Sequence, residues 1–205
     1  MIGIGVTIVI VWINGAFGAG KTQTAHELHR RSANSYVYDP ENAGYFIRKN
    51  VPESIQQGDF QNYPMWREFN YVMLKHLNET YDGLIIAPMT IVNPQYFDEI
   101  VGRLRYDGVV VHHFALCASE ATLKKRLRGR GERSRSWAEQ QIERCVAGLS
   151  EETFQHHLDT DHTTIQDNVE QIASMSNISL SPDHRGPIKK AYDRVLTQVK
   201  HIRFL

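Results

Sequence analysis

The sequence holds little that would mark a secreted, membrane-spanning or nucleic-acid-binding chain. Only two cysteines are present, Cys117 and Cys145, in neither CxxC nor zinc-finger spacing, which leaves no disulfide framework and no zinc ribbon to build on. Two unpaired thiols in a reducing cytosol are expected. No sign of charge is in excess: Lys and Arg total 23, as do Asp and Glu. No net field therefore draws the chain to nucleic acid, and electrostatic arguments must be local. Internal repeats and low-complexity tracts are absent. The apolar opening from Ile2 to Ile13 has no basic flank and no small-residue cleavage site, unlike a secretory leader. It is also shorter than the stretch of about 20 residues that crosses a bilayer.

What is present is a chain of 205 residues, suited to one α/β domain with a short appended segment. Short apolar runs alternate with longer amphipathic stretches, the pattern of a parallel sheet covered by helices. Strands are expected near residues 7–14, 35–39, 84–87, 109–116 and 158–160. Helices are expected near 21–31, 43–49, 65–79, 97–104, 119–127, 137–149 and 165–174. Residues 126–135, rich in arginine and glycine, read as a mobile loop, and residues 1–5 as a frayed extension. The domain reading is 1–180 for the α/β unit and 181–205 for a basic amphipathic C-terminal helix.

The strongest local signal is Gly15-Ala16-Phe17-Gly18-Ala19-Gly20-Lys21-Thr22. It matches GxxxxGK[ST] and sits between an apolar strand and a helix, the context that this phosphate-binding loop requires. Glycines let backbone N–H groups point inward and phosphate oxygens approach closely. The following helix adds its positive end. Lys21 is a point charge for the β- and γ-phosphates of ATP, and the Thr22 hydroxyl is placed to ligate Mg²⁺.

Phosphoryl transfer to a hydroxyl also needs a carboxylate near the acceptor. Asp39 ends the second strand, and strand C-termini in an open α/β sheet face the ligand crevice. Asp39 is therefore the first candidate base, a turn residue before Pro40 being its other reading, and Glu41 is the second choice. The third strand runs into Ala87-Pro88-Met89-Thr90 with no Walker-B carboxylate, which favours transfer over rapid hydrolysis. No NKxD guanine reader is present, so ATP is preferred to GTP. Among the arginines after the fourth strand, Arg126 and Arg130 share a helical face and suit a lid that neutralises a transferring phosphoryl. A solvated basic helix end is the alternative. His112-His113 and the group His156, His157, Asp159, Asp161 and His162 read as polar residues flanking strands, with a metal cluster conceivable only in the second group. In the tail, Ile188, Tyr192, Val195, Val199 and Ile202 fall at helical spacing among Lys189, Lys190, Arg194, Lys200 and Arg203. Such a stripe either lies on an anionic membrane or packs on the domain.

With Tyr38-Asp39-Pro40-Glu41, Trp12-Ile13-Asn14-Gly15-Ala16-Phe17-Gly18, Gln61-Asn62-Tyr63-Pro64-Met65-Trp66-Arg67, Pro88-Met89-Thr90-Ile91-Val92 and Asp167 in view, the chain closely resembles the ATP-binding tunicamycin resistance proteins from Trp12 to Arg203. More remotely it resembles chloramphenicol phosphotransferase and the nucleoside-monophosphate and shikimate kinases. The resemblance implies a P-loop fold with strand order 2-3-1-4-5, an acceptor carboxylate after the second strand and an arginine lid, roles that Asp39, Arg126 and Arg130 match by position. It also implies a cytosolic protein that protects against tunicamycin, a nucleoside antibiotic with an acyl chain, and whose C-terminal helix associates with the inner membrane face. Two functions stay open on this reading. One is a kinase that phosphorylates a tunicamycin hydroxyl, with Asp39, Tyr45, Tyr63, Trp66 and Arg67 on the acceptor side. The other is an ATP-dependent, membrane-associated protein that sequesters the drug without chemistry. Core packing is the competing fate for about half of the acceptor-side aromatics, Phe46 and Tyr71 included.

Overall fold

The chain, represented by a computed structural model, is described over residues 9–200. The expected extension at residues 1–5, the start of the expected first strand, and Ile202 and Arg203 of the tail stripe lie outside the described residues. Five parallel strands form one sheet in the order β2-β3-β1-β4-β5. They are β1 (Val9–Gly15), β2 (Ser35–Val37), β3 (Leu84–Pro88), β4 (Val110–Cys117) and β5 (His157–Asp159). The order is the kinase-like one implied by the resemblance.

Strand β1 lies at the centre, paired over Ile10 to Ile13 with β3 and over Val9 to Gly15 with β4. Its continuous apolar run follows from burial on both faces. Ile10 and Trp12 pack with Trp66, Leu74, Ile85 and Phe97 on one side. Val11 and Ile13 pack with Ala25, Leu28, Leu123 and Ile172 on the other. The helices are α1 (Lys21–Arg31), α2 (Glu41–Asn50), α3 (Pro64–Thr80), α4 (Pro94–Phe97), α5 (Arg103–Tyr106), α6 (Glu120–Gly129), α7 (Trp137–Gln140), α8 (Ile142–Leu149), α9 (Ile165–Met175) and α10 (Pro187–Lys200). Two single 3₁₀ turns, Glu53–Ile55 and Phe60–Asn62, join α2 to α3.

Several elements differ from the sequence reading. The helix expected over 97–104 is interrupted by a π turn at Asp98–Gly102 between α4 and α5. A Cβ on Gly102 would collide with Asp98 Oδ1, so glycine leaves room for the aspartate to fold back. The loop expected over 126–135 begins only after Gly129, because Leu123 and Leu127 are buried and carry α6 onward. Gly131, at φ 83°, then turns the chain. The single helix expected over 137–149 is two, α7 and α8, divided at Gln141, whose N–H is shared between Trp137 O and Ala138 O at 3.2 and 3.3 Å. Cys145 is buried and Cys117 half-buried, both unpaired, and burial pushes both thiols up.

The C-terminal helix docks by its polar face, so its apolar stripe does not pack on the domain, the second of the two expectations. Its buried residues are Asp193 and Thr197, while Ile188, Tyr192, Val195 and Val199 are exposed, Ile188 to 87 %. Polar bonds to α1 explain this face. Arg30 donates to Thr197 Oγ1 at 2.6 Å and Arg185 pairs with Glu27. Arg185 also meets Asp183 at 2.8 Å and Asp193 at 3.0 Å. Hydrogen bonds from Arg185 and Lys190 hold the Asp183 carboxyl far below the usual carboxylate range.

At the top of β1, the buried Asn14 side chain accepts from Gly15 N at 2.8 Å and from Ile91 N at 3.0 Å, and donates to Ile91 O at 2.7 Å. Each bond contributes about 1 kcal/mol, and leaving its buried partner unsatisfied costs more. Asn14→Ala should therefore lower unfolding free energy by about 2–4 kcal/mol in urea denaturation. A loss under about 0.5 kcal/mol would show that the loop is held by other bonds.

Candidate nucleotide site

The loop that follows β1 depends on three glycines in left-handed backbone: Gly15, Gly18 and Gly20, with φ of 149°, 86° and 101°. A Cβ at Gly15 would lie 2.9 Å from Leu116 O, and one at Gly18 would lie 3.0 Å from Leu123 O. Side chains are thus excluded where the loop crosses β4 and α6. Gly20 caps α1 without a side-chain bond, so the first amides of the helix are left for the oxygens of an anion. Ala16 and Ala19 are buried beneath this turn, and Ala19 N donates to Ala16 O at 3.1 Å. Thr22, half-buried in the first turn of α1, presents a hydroxyl, the hard oxygen donor that Mg²⁺ takes.

Lys21 folds back over the loop. Its Nζ donates to Gly15 O at 2.9 Å and to Ala16 O at 3.1 Å and lies 5.4 Å from the Phe17 ring centroid. Loss of hydration lowers the ammonium to about 8; Glu41 and Cys145 work against this drop and Arg130 adds to it. Phe17 in turn meets Trp137 of α7 edge-on, with ring centroids 5.2 Å apart. Thr90 occupies the place after β3 where a Walker-B carboxylate would stand. It is buried and its Oγ1 donates to Gly15 O at 2.8 Å.

Asp39, the expected base, lies just past β2, and its Oδ1 accepts from Glu41 N at 3.0 Å, which starts α2. Tyr45, one turn on, donates its hydroxyl to Glu41 at 3.2 Å. Asp39 and Tyr45 are half-buried at this loop. Trp66 is fully buried against Phe60 and its indole N–H donates to Pro40 O at 3.0 Å, so it holds the turn after Asp39 from behind. Tyr63 is buried with its hydroxyl accepting from Gln57 N at 2.7 Å. Arg67 is buried too, paired with Glu99, donating to Gln61 O at 2.5 Å, its guanidinium 4.1 Å from the Tyr96 ring centroid. Phe46 is exposed, and Tyr71 turns to Asp107 at 2.5 Å.

Arg126 and Arg130, expected in a lid, occupy the other side of the loop. Arg126 donates to Thr160 O and, at 3.1 Å, to Thr160 Oγ1. A cavity of about 370 Å³ is lined by Gly18, Ala19 and Gly20 together with Arg126, Arg130 and the turn between β5 and α9. Asp167 caps α9 reciprocally with Thr164, at 2.7 and 3.2 Å. Among the described residues no three His, Cys, Asp or Glu side chains gather as a metal site. His113 is a core residue, packed on Phe97 and Phe154 and pushed down to about 3 by desolvation. Asn14, Gln23, Thr90 and Thr160 are site residues to which the sequence reading gave no role. Only Asn14 carries a local signal, a polar residue ending a buried strand.

Sheet order and glycine loop together define a kinase-like, nucleotide-binding P-loop protein. A family model described as an AAA domain matches residues 10–151. The structure is similar to that of the tunicamycin resistance protein of Deinococcus radiodurans, at 35 % identity and a TM-score of 0.74, over 86 % of this chain and 99 % of that one. The chain belongs to the tunicamycin resistance protein family. The fold is shared with the Mycobacterium tuberculosis APS kinase CysC in complex with AMPPNP and APS, at 14 % identity and a TM-score of 0.56, over 83 % of this chain and 98 % of that one. It is also shared with a shikimate kinase from Bacteroides thetaiotaomicron, at 15 % identity and a TM-score of 0.55, over 83 % of this chain and 99 % of that one. No curated protein matches.

The lowered Lys21 ammonium sets a pH dependence. Below about pH 8 it is already protonated, so the affinity for Mg-ATP should be flat. Above that value binding must take up a proton, and affinity should fall by up to about tenfold per pH unit until the pKa of the bound state is reached. Lys21→Arg, which stays charged, should remove the decline. Calorimetric titrations from about pH 7 to 9.5 would contradict this assignment if native affinity did not change.

Proposed function

We propose that the chain is an ATP-dependent phosphotransferase acting on a hydroxyl of a small nucleoside antibiotic of the tunicamycin type. The reading is supported by membership of the tunicamycin resistance family together with one electrostatic observation. Burial lowers the Lys21 ammonium to about 8, with Glu41 and Arg130 acting on it in opposite senses, and Arg126 and Arg130 line the same cavity as Gly18 to Gly20. Bound ATP supplies the phosphoryl group and Mg²⁺ shields its charge.

This chain's own residues provide the rest. The amides from Gly15 to Thr22 and the Lys21 ammonium hold the phosphates, and the Thr22 hydroxyl ligates the metal. The Asp39 carboxylate accepts the proton of the acceptor hydroxyl and orients its oxygen. Arg126 and Arg130 balance negative charge on the lid side. Tyr45 offers a ring edge and a hydroxyl to the acceptor, while Tyr63, Trp66 and Arg67 fix the wall that carries it. A missing carboxylate at Thr90 fits transfer better than rapid hydrolysis.

A second reading, sequestration of the drug at an anionic membrane through residues 185–205, draws on the exposed stripe of Ile188, Tyr192, Val195 and Val199. It also draws on the cations Lys189, Arg194 and Lys200 beside that stripe. Among the described residues no helix is long and apolar enough to cross a membrane, so such contact would be peripheral.

Incubation of the protein with Mg-ATP and tunicamycin, followed by mass spectrometry of the drug, separates the two readings. Catalysis predicts a phosphorylated drug whose formation slows by at least about 100-fold in Asp39→Asn, with ATP affinity retained. Drug recovered unmodified after many equivalents of ATP would rule out the phosphotransferase.

A further inference from the structure

The nucleotide cavity has a wall that neither the glycine motif nor the lid supplies. Arg194 and Gln198 of α10 line it, opposite the backbone of Gly18 to Gly20 and beside Gln23 and Ile165. Three guanidinium groups, Arg126, Arg130 and Arg194, border the cavity, and among the described residues no carboxylate does. This is the charge balance of an anion site. The cavity's volume of about 370 Å³ falls within the ordinary range for small-molecule pockets. Gly18 to Gly20 of the phosphate loop share this one cavity with Gln23, Arg194 and Gln198, so it offers room for a nucleoside beside a phosphate tail held by the loop.

The helix is fixed in this position from the same side. Gln23 Nε2 donates to Arg194 O at 2.9 Å, one residue after the phosphate-binding Thr22. Arg30, further along α1, reaches Thr197 Oγ1 at 2.6 Å and Asp193 O at 3.4 Å. Arg185 closes the lower end through Glu27 and Asp193. One helix, α1, therefore carries the phosphate cradle at its N-terminus and the seat of α10 along its flank.

We propose that Arg194 and Gln198 are nucleotide-contacting residues, making α10 part of the ATP site and tying its position to nucleotide occupancy. The inference rests on the nucleotide-binding reading of the glycine loop. A guanidinium plane stacks on a base or pairs with phosphate oxygens. A glutamine amide presents a donor and an acceptor to the edge of adenine. Because binding free energies are reciprocal, a nucleotide that gains from α10 also holds α10 in its seat. The apolar stripe of Ile188, Tyr192, Val195 and Val199 points away from that seat. Nucleotide occupancy thus governs how firmly this face is presented.

The test is calorimetric titration of Mg-ATP into the full chain and its Arg194→Ala/Gln198→Ala double variant. Alanine is a strong helix former, and the Gln23 bond uses the Arg194 carbonyl, which the substitution retains. The double variant should bind Mg-ATP about 5- to 30-fold more weakly with its melting temperature nearly unchanged. Affinity within about twofold of native would overturn the inference. Hydrogen exchange gives an independent readout in unsubstituted α10. Amides across 187–200 should slow when Mg-ATP is added to the native chain and stay unchanged in Lys21→Ala, and no slowing in the native chain would also overturn it. Native-like ATP affinity in Lys21→Ala would instead refute the underlying nucleotide reading.

Discussion

The carbonyl oxygen of Gly15 is the point on which the rest of the site depends. It accepts from Lys21 Nζ at 2.9 Å and from Thr90 Oγ1 at 2.8 Å, while the amide of the same residue bonds Asn14 Oδ1 at 2.8 Å. One left-handed glycine thus joins the central strand, the segment after β3 and the first residue of α1. The arrangement tolerates no side chain, since Leu116 O would lie 2.9 Å from a Cβ there. Buried polar groups held this completely favour one backbone path over its neighbours. The direction of α1, and with it the aim of its amides, follows from that path.

From this constraint the other parts take their places. Lys21 donates to loop carbonyls, and its loss of hydration on burial is what lowers the ammonium to about 8. A polyphosphate tail restores what burial removes, so the resting loop is already shaped for an anion. Sheet order then sets the distribution of roles. With β3 between β1 and β2, the turn at Asp39 stands on one side of the cradle. The turn after β5, bonded to Arg126, stands on the other.

Much of this was legible in the sequence because the signals are local. The glycine loop, the apolar run before it and the position of Asp39 each depend on residues within a few places of one another. Long-range pairings were not legible. Asn14 and Ile91 are 77 residues apart, and nothing near either announces the other. The same holds for Arg185 and Glu27, 158 apart. Periodicity marked the apolar stripe of α10 correctly, but charge decided which face docks. Arg30 and Glu27 of α1 recruit the polar side, and the stripe is left outward. Trp66 and Arg67 show the converse limit. Their residue types suit ligand recognition, yet packing against Phe60 and pairing with Glu99 place both in the core.

The central claim is that backbone amides between Gly15 and Thr22, with the Lys21 ammonium, form the seat of a nucleotide polyphosphate. Amide-resolved ¹H–¹⁵N spectra of the labelled chain, recorded as Mg-ATP is added, test it most directly. The account predicts that the amides of Gly18, Gly20, Lys21 and Thr22 shift downfield together and saturate at one equivalent. Saturable shifts confined to other parts of the chain, with these amides unmoved, would contradict it.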